Sequence, residues 1–236
     1  MKKLFLLLPL ILLAAALGLA RKAKAAAPPP QGETLQDVLA RMNKAAANFR
    51  TGQADFEWLV FTKVVEQTDV QKGKIFYRRK GNELSLAIKI ESPVPKQIVV
   101  EKGKLQMYEP KIDQLTERQL GKNKEDIEAG MSLGFGSRGE DLTRNYEVRL
   151  AGWETVDGVK TAKLELVPNR STEKQYFTKI TMWIDPDRDV ALKQQFFQPS
   201  EDYRLVHNTN IQVNARNFPS DVLHLPVTSS TKKVKA

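Results

Sequence analysis

Residues 83–91 read ELSLAIKIE. Leu84, Leu86, Ile88 and Ile90 fall on one side of an extended chain and Ser85, Ala87, Lys89 and Glu91 on the other, the period of a half-buried strand. The same apolar face continues through Ile98 and Val100, then, across a Lys102-Gly103 turn, through Leu105 and Met107. Upstream, Phe56, Trp58 and Val60 alternate with Asp55 and Glu57. Downstream, Asp157-Gly158 marks a second hairpin, and strands are expected at 146–150, 159–166, 175–185, 190–198 and 203–213. The pattern predicts a long antiparallel meander, mostly β, with one apolar face.

Ahead of the strands, Leu35, Val38, Leu39, Met42, Ala46 and Phe49 recur at three- and four-residue steps, which places them on one stripe of a helix. Thr34 suits its N-cap, and Asp37 stands where a carboxylate favours a helix N-terminus. The stripe either packs on the core or plugs the mouth of a cavity. The meander is broken once, between Gly121 and Asn145, where Gly130, Gly134, Gly136 and Gly139 punctuate Ile127, Met131, Leu133 and Phe135. Short helical turns are expected there, around 125–131 and 140–145. Two readings stand: a lid over one opening of a curved sheet, or a connection whose apolar residues pack into the core.

The chain opens with Lys2 and Lys3, runs uncharged from Leu4 to Ala20, and then offers the A-x-A pattern Ala23-Lys24-Ala25. Residues 1–25 are read as a signal peptide, 26–32 as an Ala/Pro linker and 33–236 as a single domain. Cleavage after Ala25 is expected; an uncleaved anchor is the alternative, because the apolar run is long and basic residues follow it. The signal holds five of the 37 basic residues and none of the 28 acidic ones, so the net charge of +9 falls to +4 without it. The charges that stay are interspersed along the strands, unlike the clustered basic face that nucleic-acid binding needs. With no cysteine in the chain, neither a disulfide nor an N-terminal lipidated cysteine is possible.

Catalytic motifs are missing. There are two histidines, no HExxH, no GxSxG and no phosphate-cradling glycine loop. His207 shares its alternation with Tyr203, Leu205, Ile211 and Val213, which suits a structural role. Asp185 to Asp189, DPDRD, lacks the Gly and distal Glu of a calcium loop and reads as a turn. No enzyme, metal or cofactor is expected. What the residues do supply is a curved sheet with one apolar face, helices to cover it and a glycine-punctuated apolar segment, the material for a hydrophobic cavity. At roughly 0.8 kcal/mol per buried CH₂, part of an acyl chain binds there without polar recognition. The same pattern also describes a sheet with a filled core.

Residues 73–120, GKIFYRRKGNELSLAIKIESPVPKQIVVEKGKLQMYEPKIDQLTERQL, resemble the central region of the LolA family of periplasmic lipoprotein carriers. A Gly-led strand ends in a basic pair, a strand runs toward a Pro, an I-V-x-(D/E)-G-K hairpin follows, and Tyr-x-Pro precedes a polar strand ending in x-x-L. The helix ending at Phe49, Leu166-Val167-Pro168 and Trp183-Ile184-Asp185 extend the likeness over nearly the whole mature chain. Two departures are Lys80, where the family often has Pro, and a lid region richer in Gly.

The resemblance implies an incomplete antiparallel β-barrel capped by an N-terminal helix and a lid of short helices. Its apolar interior would receive the acyl chains of lipid-modified proteins from an inner-membrane ABC release complex and pass them to an outer-membrane lipoprotein receptor. The protein would act in the periplasm, as a monomer. The expected cavity wall is Phe56, Trp58, Ile75, Tyr77, Leu84, Leu86, Ile88, Ile90, Ile98, Val100, Leu105 and Met107, and the lid residues are Ile127, Met131, Leu133 and Phe135. The family's barrel-to-lid arginine falls on Arg79, which alternation places on the apolar side with Ile75 and Tyr77. There its guanidinium needs acceptors, such as unpaired carbonyls of the glycine-rich segment; otherwise it snorkels to water. Rival functions are an envelope sensor or scaffold that binds a protein partner on the same fold, and a lipid hydrolase, for which no nucleophile and base are found.

Overall fold

The computed structural model describes residues 32–81, 83–121, 130–131 and 133–235. The expected signal peptide, all but the last residue of the expected Ala/Pro linker, and Ile127 lie outside these residues. The helix expected at the start is α1, Leu35–Asn48. The Thr34 hydroxyl accepts from the Asp37 backbone N–H at 3.3 Å, and the Asp37 carboxylate accepts from the Thr34 N–H at 2.8 Å, a reciprocal capping box. Among the described residues twelve strands follow: β1 Thr51–Thr62, β2 Gln67–Lys80, β3 Glu83–Ser92, β4 Lys96–Glu101, β5 Lys104–Glu109, β6 Gln114–Gln119, β7 Tyr146–Val156, β8 Val159–Pro168, β9 Lys179–Ile184, β10 Ala191–Phe197, β11 Tyr203–Val213 and β12 Lys232–Lys235. Two short helices described between them are α2 at Gly139–Asn145 and α3 at Ser171–Lys174. The strand expected at 175–185 is shorter because α3 and its exit occupy the residues before Lys179.

All twelve strands form one sheet in the order β12-β6-β5-β4-β3-β2-β1-β11-β10-β9-β8-β7. The single meander of the sequence reading is therefore two, β1 to β6 and β7 to β11, joined where β1 pairs with β11. The expected incomplete antiparallel β-barrel is not formed. The sheet is open and uncurled, β12 and β7 are its two edges, no pairing among the described residues joins them, and β12 runs parallel to β6, which makes the sheet mixed. Alternation along a strand reports the pleat, whereas closure depends on tilt and stagger between strands, which a period of two does not encode.

One face of the sheet is covered by α1, α2, Gly130, Met131 and the segment from Leu133 to Ser137. Val38 and Met42 pack with Leu142, Leu133 and the inward side chains of β8 and β9, namely Leu164, Leu166, Ile180 and Met182. Burying each of those two helical side chains contributes roughly 1.5–3 kcal/mol. On the neighbouring half of the same face, Phe49 and Phe135 pack with Ala54, Tyr77, Leu84, Leu86 and Val100. The opposite face is not simply solvated. The chain after β11 crosses it, and Phe218, Val222, Leu223 and Leu225 cover Phe76, Ala87 and Val99 of β2, β3 and β4.

Candidate functional site

The β1–β2–β3 ladder sets the site. Tyr77 lies opposite Gly52 on β1 and Leu86 on β3, Ile75 opposite Ala54 and Ile88, and Phe56 opposite Gly73. On the other side of β1, Phe56 faces Asn208 and Trp58 faces Val206, both on β11, and Val206 in turn faces Gln194 on β10. These inward side chains, together with Phe196, Gly130, Met131 and Leu133, line a half-open cavity of about 220 Å³. That is smaller than the 300–1,000 Å³ typical of small-molecule sites, roughly room for a stretch of chain.

Of the twelve residues expected in the cavity wall, Phe56, Trp58, Ile75, Tyr77, Leu86 and Ile88 line it. The others lie elsewhere. Leu84 and Val100 are core, packed in the cluster with Phe49 and Phe135, and Leu105 rests against that cluster. Ile98 and Met107 pair with each other farther along the same face, beside Ile88, and Ile90 is buried opposite Gly73. Among the expected lid residues, Met131 and Leu133 line the cavity, while Phe135 is fully buried and stacks on Tyr77 with ring centroids 4.7 Å apart. None of the α1 stripe lines the cavity, so the helix serves as packing.

The segment over the cavity is pinned by backbone and side-chain bonds. The Ala191 N–H donates to Gly134 O at 2.8 Å, and Gln194 Nε2 donates to Leu133 O at 2.9 Å. From the other side, an Arg79 Nη donates to Gly136 O at 3.0 Å, and its guanidinium carbon lies 5.9 Å from the centre of the Phe49 ring. Arg79 thus bridges the sheet and the covering segment. Burial, helped by the nearby positive charge of Arg138, holds its pKa below the usual arginine value. Gly136 has φ +71°, and a Cβ there would lie 2.6 Å from Phe49 Cδ1, so only glycine presents this carbonyl to Arg79.

Four lining residues escape the sequence reading: Gln194, Phe196, Val206 and Asn208. Their strands are legible, but their place opposite β1 depends on the β1–β11 pairing. A bulge, with Asn210 at φ +51°, sits where the register shifts across from Gln53 and Asp55. It reverses the parity of β11: Ile211 and Val213 join the Phe49 and Ala54 cluster, and His207, expected to share their face, lies on the other one. There His207 Nε2 is 2.6 Å from Asp157 Oδ2 of the β7–β8 turn. The DPDRD segment is a turn: Asp185 Oδ1 accepts from the Asp187 N–H at 2.8 Å and Oδ2 from Arg188 Nε at 2.6 Å. Among the described residues, no three His, Cys, Asp or Glu side chains are grouped to hold a metal ion.

Two polar atoms of the lining, Asn208 Oδ1 and Trp58 Nε1, and one beside it, Arg204 Nε, are buried without a hydrogen-bond partner among the described residues. Asn208 is oriented by its Nδ2, which donates to Ala191 O at 3.2 Å, so its oxygen is the end left unpaired.

A family model described as "-like: Uncharacterized protein" matches residues 97–225, more than half of the chain. The chain belongs to that family. No curated protein matches the sequence. Solved structures share the fold: an uncharacterized conserved protein from Thermus thermophilus superposes with a TM-score of 0.54 at 12% identity, over 85% of this chain and 98% of the other. MucB superposes with 0.51 at 16% identity, over 86% of this chain and 65% of MucB, so the family member spans about two thirds of MucB's length. A LolA superfamily protein from Nitrosomonas europaea gives 0.39 at 15% identity, over 82% and 98%. At these identities the first two likenesses show the fold alone, and the third carries no argument.

Proposed function

We propose that this family member is an envelope carrier that takes acyl chains of lipid-modified proteins into the cavity between the sheet and the Leu133–Ser137 segment. The cavity itself carries the reading. Its walls are almost entirely aliphatic and aromatic side chains, it lies under a segment held by a few hydrogen bonds, and burial of CH₂ groups at roughly 0.8 kcal/mol each supplies affinity without chemistry. Because about 220 Å³ holds only part of a long chain, loading widens the cavity by lifting the covering segment, opposed by the bonds of Arg79 to Gly136 O, Ala191 N–H to Gly134 O and Gln194 to Leu133 O and by the buried Phe135 ring. The export signal supports action in the periplasm, with an inner-membrane ABC complex as donor and an outer-membrane lipoprotein receptor as acceptor.

The test is binding of a fluorescent long-chain acyl probe by the wild type and by Ile88→Glu. Ile88 is only partly buried and borders the cavity, so the variant should keep a near-native urea midpoint and lose the probe. Wild-type protein that binds no acyl probe would refute the carrier reading. MucB has been seen in complex with MucA(peri), and capture of a protein segment by a chain that ignores acyl probes would favour the sensor or scaffold alternative.

A further inference from the structure

The geometry points to an anion subsite at one end of the cavity, formed by Arg204 and Trp58, which selects acyl chains that end in a carboxylate. This rests on the cavity of the carrier reading and adds a second ligand class to it. The acyl chains of lipid-modified proteins are ester- or amide-linked and carry no carboxylate, so the subsite takes a free fatty acid. Arg204 stands on β11 on the same face as Val206 and Asn208, opposite Val60 on β1 and Phe196 on β10. It is thus flanked along the strand and across it by two residues that line the cavity, Val206 and Phe196. Its guanidinium carbon lies 5.9 Å from the centre of the Trp58 ring, and Trp58 is itself a wall residue.

Neither residue is satisfied within the described protein. Arg204 forms no ion pair among the described residues, in a sheet where Lys72, Lys74, Arg78, Lys104, Arg149 and Lys163 each have a carboxylate. Its Nε and the Trp58 Nε1 are both buried donors with no acceptor. Buried N–H groups are rarely left this way and each calls for an explanation, a bound ion among them. Arg41 Nη2, Arg79 Nε and Trp183 Nε1 share the state, but Trp58 Nε1 and Arg204 Nε are the two such donors that stand together beside the cavity. An uncharged acyl group offers them little. A terminal carboxylate offers two oxygens, negative charge for the guanidinium, and a hydrocarbon chain that continues along the wall toward Asn208, four residues farther on and roughly 13 Å away at the rise of a strand.

The discriminating experiment measures binding of dodecanoate and dodecanol by calorimetry, for wild type, Arg204→Gln, Arg204→Lys and Trp58→Phe. The two ligands share a chain and differ in the charged end. Wild type should prefer dodecanoate by about tenfold or more, the weight of one charged hydrogen bond, and added salt should narrow the gap. Arg204→Gln should abolish the preference while leaving dodecanol affinity unchanged, Arg204→Lys should keep part of it, and Trp58→Phe should reduce it while keeping the aromatic wall. Equal binding of both ligands by wild type, or equal loss of both in Arg204→Gln, overturns the subsite and leaves the carrier reading standing. If neither ligand binds wild type, both fail. Should Arg204→Gln not fold, Trp58→Phe and the salt dependence decide the matter.

Discussion

Replacing Phe135 by alanine separates a covering segment that is part of the core from one that merely rests on the sheet. The ring is fully buried, stacked on Tyr77 with 12° between planes, and in the cluster that holds Phe49, Leu84, Leu86 and Val100. Phe→Ala truncations in such sites cost about 3–5 kcal/mol, of which roughly 0.5–1.5 comes from the aromatic pair. For a domain of this size that lowers Tm by about 6–20 °C. The loss should appear in urea unfolding as a lower midpoint with an unchanged slope, since the surface exposed on unfolding is nearly the same. The remaining bonds, Ala191 N–H to Gly134 O, Gln194 to Leu133 O and Arg79 to Gly136 O, should then be too few to hold the segment, and hydrogen exchange at Gly134 to Ser137 should rise. A loss below about 1 kcal/mol, the size of an ordinary surface change, would refute the packing argument.

Gly73→Ala tests why a glycine opens the central part of β2: a Cβ there would lie 2.0 Å from Lys89 O, a backbone atom of the β3 ladder, so a loss of at least about 2–3 kcal/mol is expected by thermal unfolding, and a neutral substitution would contradict the close approach. Asp55 gives a pH prediction. Hydrogen bonds from Asn210 and Lys74, both at 2.6 Å, hold its carboxyl below the usual carboxylate range, so the unfolded chain binds its proton more readily than the folded one. The stabilisation is complete above the ordinary carboxylate pKa of about 4 and is lost as pH falls through the lower folded value. Wild type and Asp55→Asn should therefore differ in urea midpoint at neutral pH, and the gap should narrow as pH falls below about 4; a gap that stays constant would rule out this linkage.

Local features of the fold were legible because they depend on neighbours in sequence. The Thr34–Asp37 box, the α1 stripe, the alternation from Leu84 to Ile90 and the positive-φ pairs at Lys102-Gly103 and Asp157-Gly158 all follow from residue type within a few positions. Six of the cavity residues were found the same way, since side chains on one face of consecutive hairpins meet whatever the rest of the chain does. The β1–β11 pairing lies beyond that reach. It joins residues some 150 positions apart and brings in Val206, Asn208, Gln194 and Phe196. The bulge at Asn210 then reverses which side chains of β11 face inward, a change invisible to a period of two. Sheet closure was likewise undecided by sequence, because each strand's pattern is the same in an open sheet and a barrel, and only the unjoined edges β12 and β7 distinguish them. What the residues determined was which surfaces must be buried; the tertiary structure decided against what, since burial is non-directional and pairing partners are selected only when the whole sheet assembles.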